Sequence, residues 1–293
     1  METPNQLSLL GNIRRKPINY RDNLGEIIQA DMEAEARKGK IKPKTPEQKP
    51  SRIIAPSNYF HLTKEMYDEA LGKIKADYGN NPILLKVQWD EEAEIAKGSN
   101  PYYAALINTI FREQGIRTAT QADLENILTN KILDLNGTYE DSGIVLRSLT
   151  KPNEYLAKQI GEQIAKLQGK KTGKLELPIY TSTCYLELTN DPNSPSKLGL
   201  KILDDAELIY APILNSPNQN KFSSSDIDVA TGLPKKVGNG DRTLWTRSDG
   251  LSWLCLLRGL SLVSSLDSLD YSSENGRVIC ASTPQSAKHA PKK

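Results

Sequence analysis

The chain has 293 residues, and its 38 Lys and Arg almost balance 36 Asp and Glu, leaving a formal charge of +2. Net charge therefore gives no case for nucleic-acid binding, and a chain this long can bury a core without disulfides or a metal. Three cysteines (184, 255, 280) with no CxxC pair, and two histidines at opposite ends of the chain, leave no zinc-ligand run.

The first 52 residues hold eleven Lys and Arg against seven acids and include IKPKTPEQKP. Residues 1–56 read as a flexible basic lead and linker, with a short helix around Leu24 to Lys38. METPNQLSLLGNIRRKP lacks the apolar core and cleavage pattern of a secretory signal. The route to a cytoplasmic or displayed location stays open.

An ordered body is expected from Ser57 to residue 282. Thr63 caps a predicted helix whose Tyr67, Leu71, Ile74 and Tyr78 share a face. Asn100-Pro101 opens a second, with Tyr103, Leu106, Ile107 and Ile110 as its stripe and Gly115 as its stop. Thr120 and Asp123 form a capping pair for a third, carrying Leu124, Ile127 and Leu128. A fourth follows Pro152-Asn153 through Leu156, Ile160, Ile164 and Leu167.

Near residue 170 the period changes from helical to alternating. Leu175, Leu177 and Ile179, then Leu186 and Leu188, then Leu198, Leu200 and Ile202, then Leu208 and Tyr210 read as short strands. Residues 214–241, rich in Asn, Ser, Gly and Pro, read as a surface loop. One α+β body over 57–282 is the favoured organisation; a boundary near residue 170 is the alternative, and 283–293 reads as a mobile tail.

No nucleotide-binding, zinc-protease, nucleophile-elbow or EF-hand fingerprint is present. KVGNGD at 236–241 reads as a turn before an anion nest. DEEAE at 90–94 reads as a solvated helical start, since two carboxylates do not complete a calcium or magnesium shell. Asp204-Asp205 and Cys184 have no sequence-local catalytic partner. No cofactor, metal or catalytic residue is assigned.

In DGLSWLCLLRGLSLVSSLDSLDYSSENGRVICA, Leu254 and Leu256 are two apart, as are Leu260 and Leu262. Strands and turns fit this better than one helix, and Arg258 within a short apolar run argues against a membrane span. In RVICAS, Val278 and Cys280 are expected to point one way and Ile279 the other.

This stretch, from TLWTRSDGLSWLCLLRG to GRVICAS, resembles the variable region of proteins diversified by retroelements, in the archaeal group of nanoarchaeal-type genomes. YFHLTKEMYDEA, SNPYYAALINTI, DLNGTYEDSGIVLRS and AELIYAPILN extend the resemblance over most of 57–282. It implies a C-type lectin fold of the formylglycine-generating-enzyme type, with helices preceding short strands and loops, and a binding role without turnover.

The resemblance implies frame positions at Asp249, Gly250, Leu251, Leu254, Leu256, Leu260, Leu262, Ser264, Leu269, Ser272, Gly276, Arg277 and Val278. It implies diversified, ligand-facing positions at Ser252, Trp253, Cys255, Leu257, Arg258, Gly259, Ser261, Val263, Ser265, Leu266, Asp267, Ser268, Asp270, Tyr271, Ser273, Glu274 and Asn275. Adenine replacement in an Asn codon reaches many of these residue types but not Trp or Glu, so Trp253 and Glu274 need other template codons or stay fixed. The implied partner is a protein or cell-surface ligand, with no direct nucleic-acid ligand. The alternatives are an assembly protein that uses the leucines as an oligomer contact, and an oxidase that uses Cys255 and Cys280.

Overall fold

The computed structural model describes residue 56 and residues 58–282, except 218. The expectations for 1–55, 57 and 283–293 lie outside the described residues. Among the described residues, four α-helices and fifteen strands make a mixed α+β fold around a curled sheet.

The helices stand where capping and periodicity place them. Helix α1 (Lys64–Asp77) begins at Thr63, whose hydroxyl accepts from the Met66 amide. Its buried stripe is Met66, Ala70 and Ile74, with Tyr67 and Tyr78 packed at the margin. Helix α2 (Pro101–Phe111) is capped by Asn100, has Pro in its first turn, and gives way to a short 3-10 turn that Gly115 ends in the left-handed region. It is buried nearly all round, which identifies a central helix instead of a surface one. Helix α3 (Gln121–Asn130) carries the Thr120–Asp123 capping box. Helix α4 (Glu154–Leu167) buries Leu156, Ile160 and Ile164.

The eight-stranded sheet follows the order β10 (Asn220–Phe222), β11 (Arg242–Trp245), β13 (Ser261–Val263), β12 (Leu251–Leu257), β5 (Tyr139–Leu146), β6 (Ile179–Ser182) and β9 (Ile209–Tyr210), with β14 (Gly276–Arg277) also on β5. A second sheet orders β1 (Asn58–His61), β15 (Ile279–Ser282) and β4 (Ile116–Thr118). Two hairpins complete the set: β2 (Gln88–Asp90) with β3 (Ile95–Lys97), and β7 (Leu186–Asn190) with β8 (Leu198–Ile202).

Strands β5 and β12 run antiparallel at the centre, and both are covered on two faces. On one side Tyr139, Ile144, Leu251, Trp253 and Cys255 join α1, α2 and α4 in the larger core. On the other, Val145, Leu254, Leu256 and Leu262 join α3, β10 and β11. A bulge sets Leu254 opposite Gly143 but Cys255 opposite Asp141. The looped-out Ser142 is fully engaged: its hydroxyl donates to Gln121 and to the Leu254 carbonyl, while its own carbonyl accepts from Tyr180 and Ser182.

Three expectations change. Residues 90–94 form the tight connection of the β2–β3 hairpin instead of a helical start, with Asp90 Oδ1 accepting the Glu92 and Ala93 amides in an Asx turn. Leu175 and Leu177 precede the strand that begins at Ile179, and a 3-10 turn occupies Thr172–Lys174. The 214–241 stretch is anchored in part: Phe222 and Leu233 are buried, and the Arg242 guanidinium stacks 4.9 Å from the Phe222 ring. Val278 and Cys280 enter one core and Ile279 the other, as the alternation requires.

Candidate binding surface

The burial of β12 on both faces decides where the 251–278 segment can meet a partner. Trp253 and Cys255 point into the larger core, and Ser252 points the opposite way into a polar knot, so none of the three faces solvent. Val263, Ser265 and Leu266 are also buried. These six ligand-facing expectations are corrected: β12, between two packed layers, has no solvent side for Ser252, Trp253 and Cys255, and Val263 at the end of β13 with Ser265 and Leu266 just after it are covered as well. Conversely Leu260, expected in the frame, is 59% exposed.

The remaining positions reach the surface in two groups. Arg258 is exposed, and Leu257, Gly259 and Ser261 half-buried, around the β12–β13 turn. Asp267, Asp270, Tyr271 and Ser273 are half-buried, and Ser268, Glu274 and Asn275 exposed, along the following loop. Strand β5 brings the ends of the two groups together. The Arg258 amide donates to the Thr138 carbonyl at 2.6 Å, and the Tyr139 amide donates to the Asn275 carbonyl at 3.0 Å. Strands β12 and β14 lie on opposite edges of β5 at Tyr139, so Arg258, Glu274 and Asn275 flank one strand end.

The loop is fixed from beneath. Tyr139, Trp253 and Tyr271 form an aromatic triad with ring centroids 5.7–6.2 Å apart, Tyr271 stacking on Trp253. The Tyr139 hydroxyl donates to the Ser99 carbonyl and accepts from the Ser273 amide, both at 3.0 Å. The Ser272 hydroxyl accepts from the Ser99 amide. Lys86 Nζ donates to the Asp270 carbonyl and carboxylate, and Asn153 Nδ2 donates to the Leu251 and Asp267 carbonyls. Tyr271 is thus committed mainly to the molecule's own aromatic core, and Asp270 to a surface pair with Lys86.

The polar knot at the far end of β12 was not legible in the sequence. Arg147, buried, donates to the Leu214 and Ser264 carbonyls and to the hydroxyls of Ser252, Thr246 and Ser264. Burial, with the like charge of Arg247 adding to it and Asp249 opposing, pushes its pKa well below the ordinary range. Arg247 continues the knot to the Ser265 carbonyl and Asp249.

A second unforeseen group is Glu140 and Asp141. Burial raises Glu140 to about 8, against an opposing hydrogen bond from Thr138. Burial raises Asp141 to about 7, opposed by the Ser99 hydroxyl that donates to it. Burial also lifts all three thiols, Cys184 to about 11, Cys280 to about 12 and Cys255 well above the usual value. The three are free. Thiols held protonated and away from solvent are poor nucleophiles and poor redox partners.

Among the described residues no group of His, Cys, Asp and Glu could hold a metal ion, and no helix is long and apolar enough to cross a membrane. What the arrangement offers is a rigidly supported rim of mixed charge. Comparison of the chain with models of protein families, with curated proteins and with solved structures finds no match, which leaves that rim to be judged on its own geometry.

Proposed function

We propose that this is a binding protein without catalytic turnover, in which a buried frame within 251–278 carries a solvent-facing rim that recognises a protein or another cell-surface macromolecule. The observation that supports this reading is Arg258. It has φ of 55° beside Gly259 at 64° in the three-residue connection from Arg258 to Leu260, and that left-handed region is one that Asn and Gly enter with least strain. Its guanidinium is exposed and has no side-chain partner among the described residues. The backbone amide is held by Thr138, whereas the guanidinium that the strained position carries makes no internal contact, which points to a task outside the molecule.

The C-type lectin fold of the formylglycine-generating-enzyme type and diversification by a retroelement belong to the same proposal. They are supported by the burial of Leu251, Leu254, Leu256, Leu262, Ser264, Leu269, Gly276 and Val278, all assigned to the frame, and by the exposure of Arg258, Ser268, Glu274 and Asn275, all assigned to the diversified set. The six buried members of that set are reassigned to the frame.

Substituting Arg258→Asn, Glu274→Gln and Asn275→Ser together tests the rim. Against an array of purified cell-surface ectodomains, partners held by the native chain should bind the triple variant at least tenfold more weakly, with circular dichroism unchanged. Equal binding by the variant, or no partner for the native chain, would count against the rim. Sequencing the encoding locus tests the origin: a reverse transcriptase and a near-duplicate template differing mainly at adenines over codons 250–278 are expected. A locus with neither removes the diversification half of the proposal.

A further inference from the structure

Residues 56–282 carry 24 Lys and Arg against 29 Asp and Glu, yet one stretch reverses that balance. From Lys166 to Lys174, four of nine residues are lysine and none is acidic. Lys166, Lys170, Lys171 and Lys174 are all exposed. The local fold gathers them. Gly169, at φ of 62°, follows α4 in the left-handed region, and the Lys170 amide turns back to the Ala165 carbonyl at 2.8 Å. The Lys174 amide then donates to the Lys171 carbonyl, also at 2.8 Å, to close the 3-10 turn over Thr172–Lys174. Internal pairing does not account for the cluster. Among the described residues Lys170 alone of the four has a carboxylate in reach, that of the exposed Glu176 at 3.9 Å. The negative field at a helix C-terminus favours Lys166, in the last turn of α4, but Lys171 and Lys174 lie beyond it.

We propose that Lys166, Lys170, Lys171 and Lys174 form a contact for the anionic headgroups of a lipid membrane, on which the body rests without entering the hydrocarbon. The make-up of the segment selects lipid over nucleic acid. Between Tyr155 and Tyr180 there is no aromatic residue to stack on a base and no Arg to fork onto a phosphate or a guanine. Leucines stand among the lysines instead: Leu167, Leu175 and Leu177 are half-buried at the margin of the larger core, which suits a boundary between headgroups and acyl chains. The position fits as well. Gly161 of α4 faces Leu146, Leu149 and Thr172, so the lysine turn lies at the Leu146 end of β5. The rim of Arg258, Glu274 and Asn275 lies at the Tyr139 end, about 24 Å away along eight residues of strand. A membrane at the lysines therefore leaves the rim uncovered, and the contact needs nothing from the rim.

Cosedimentation of the full chain with phosphatidylcholine vesicles, with and without one-third phosphatidylglycerol, tests the contact. The chain should pellet with the anionic vesicles only, and half-molar salt should release it. Each lysine at such a surface is worth about fivefold in partitioning, so changing all four to Gln should lower it at least twentyfold, with circular dichroism unchanged. Changing the same four to Arg keeps the charge and should keep native partitioning. A control chain with Lys40, Lys42, Lys44 and Lys49 changed to Gln loses the same net charge elsewhere, and its partitioning should fall less than threefold. Failure of the native chain to pellet with anionic vesicles would overturn the proposal, as would an equal loss in the two Gln chains or a loss in the Arg chain. Stronger retention by duplex DNA than by vesicles at equal phosphate concentration would overturn it too, and would make nucleic acid the partner.

Discussion

Glu140 and Asp141 are adjacent on β5, and each leaves one carboxyl oxygen, Oε2 and Oδ1, without a hydrogen-bond partner among the described residues. An ionised carboxylate so placed is costly, which is why burial holds both groups protonated toward neutrality. The sign of the stability effect follows. In the unfolded chain these groups ionise near pH 4, whereas in the folded chain they wait until about pH 7–8. Their contribution is therefore fully present below about pH 4 and is lost as pH rises through the folded values. Glu140→Gln and Asp141→Asn keep the shape and remove the titration. Urea unfolding at pH 5, 7 and 9 should show native stability falling across the window, and falling by several kcal/mol less in the double variant, because each tenfold change in a protonation equilibrium is worth about 1.4 kcal/mol. A native midpoint indifferent to pH, or a variant with the full native slope, would refute the assignment.

At the scale of elements, the turn after β12 separates local stability from function. Asn tolerates the left-handed region better than Arg, so Arg258→Asn should stabilise the chain by about 0.5–1 kcal/mol while weakening partner binding. Chemical denaturation measures the first effect, and destabilisation by the substitution would show that the guanidinium serves the fold. All four described helices were legible from the sequence: Thr63, Asn100 and Thr120 are strong caps ahead of three of them, and α4, which has no side-chain cap, is marked by its 3.6-residue stripe alone. Strand β5 was not legible. YEDSGIVL places Glu140, Asp141 and Ser142 at positions that a sequence reading assigns to solvent, and only the bulge and partners such as Ser99, Gln121 and Thr138 make their burial tolerable. The same cause misplaced Trp253 and Cys255. Alternation names which residues share a face of β12, but a strand packed on both sides looks like a strand with one face in solvent until its neighbours are known.

At the scale of the molecule, the question is whether two cores make one cooperative unit. The change from helices to strands near residue 170 suggested a boundary there, yet β5 precedes it and β6 follows it, and the two pair from Gly143–Ser182 to Leu146–Ile179. Strand β12 returns from residue 251 to the other edge of β5, so the layer that separates the cores is built from both sides of the supposed boundary. Trp253 belongs wholly to one core and Leu256 to the other. Trp253→Ala and Leu256→Ala should each cost about 2–5 kcal/mol, because each empties a fully buried site. Since β12 carries both residues, neither core can open fully while the sheet holds. Native-state hydrogen exchange should therefore show the slowest amides of α4, over the first core, and of α3, over the second, losing protection together in either variant. If Trp253→Ala lowers protection in α4 and leaves α3 at its native value, the cores are separate foldons and the shared sheet does not couple them.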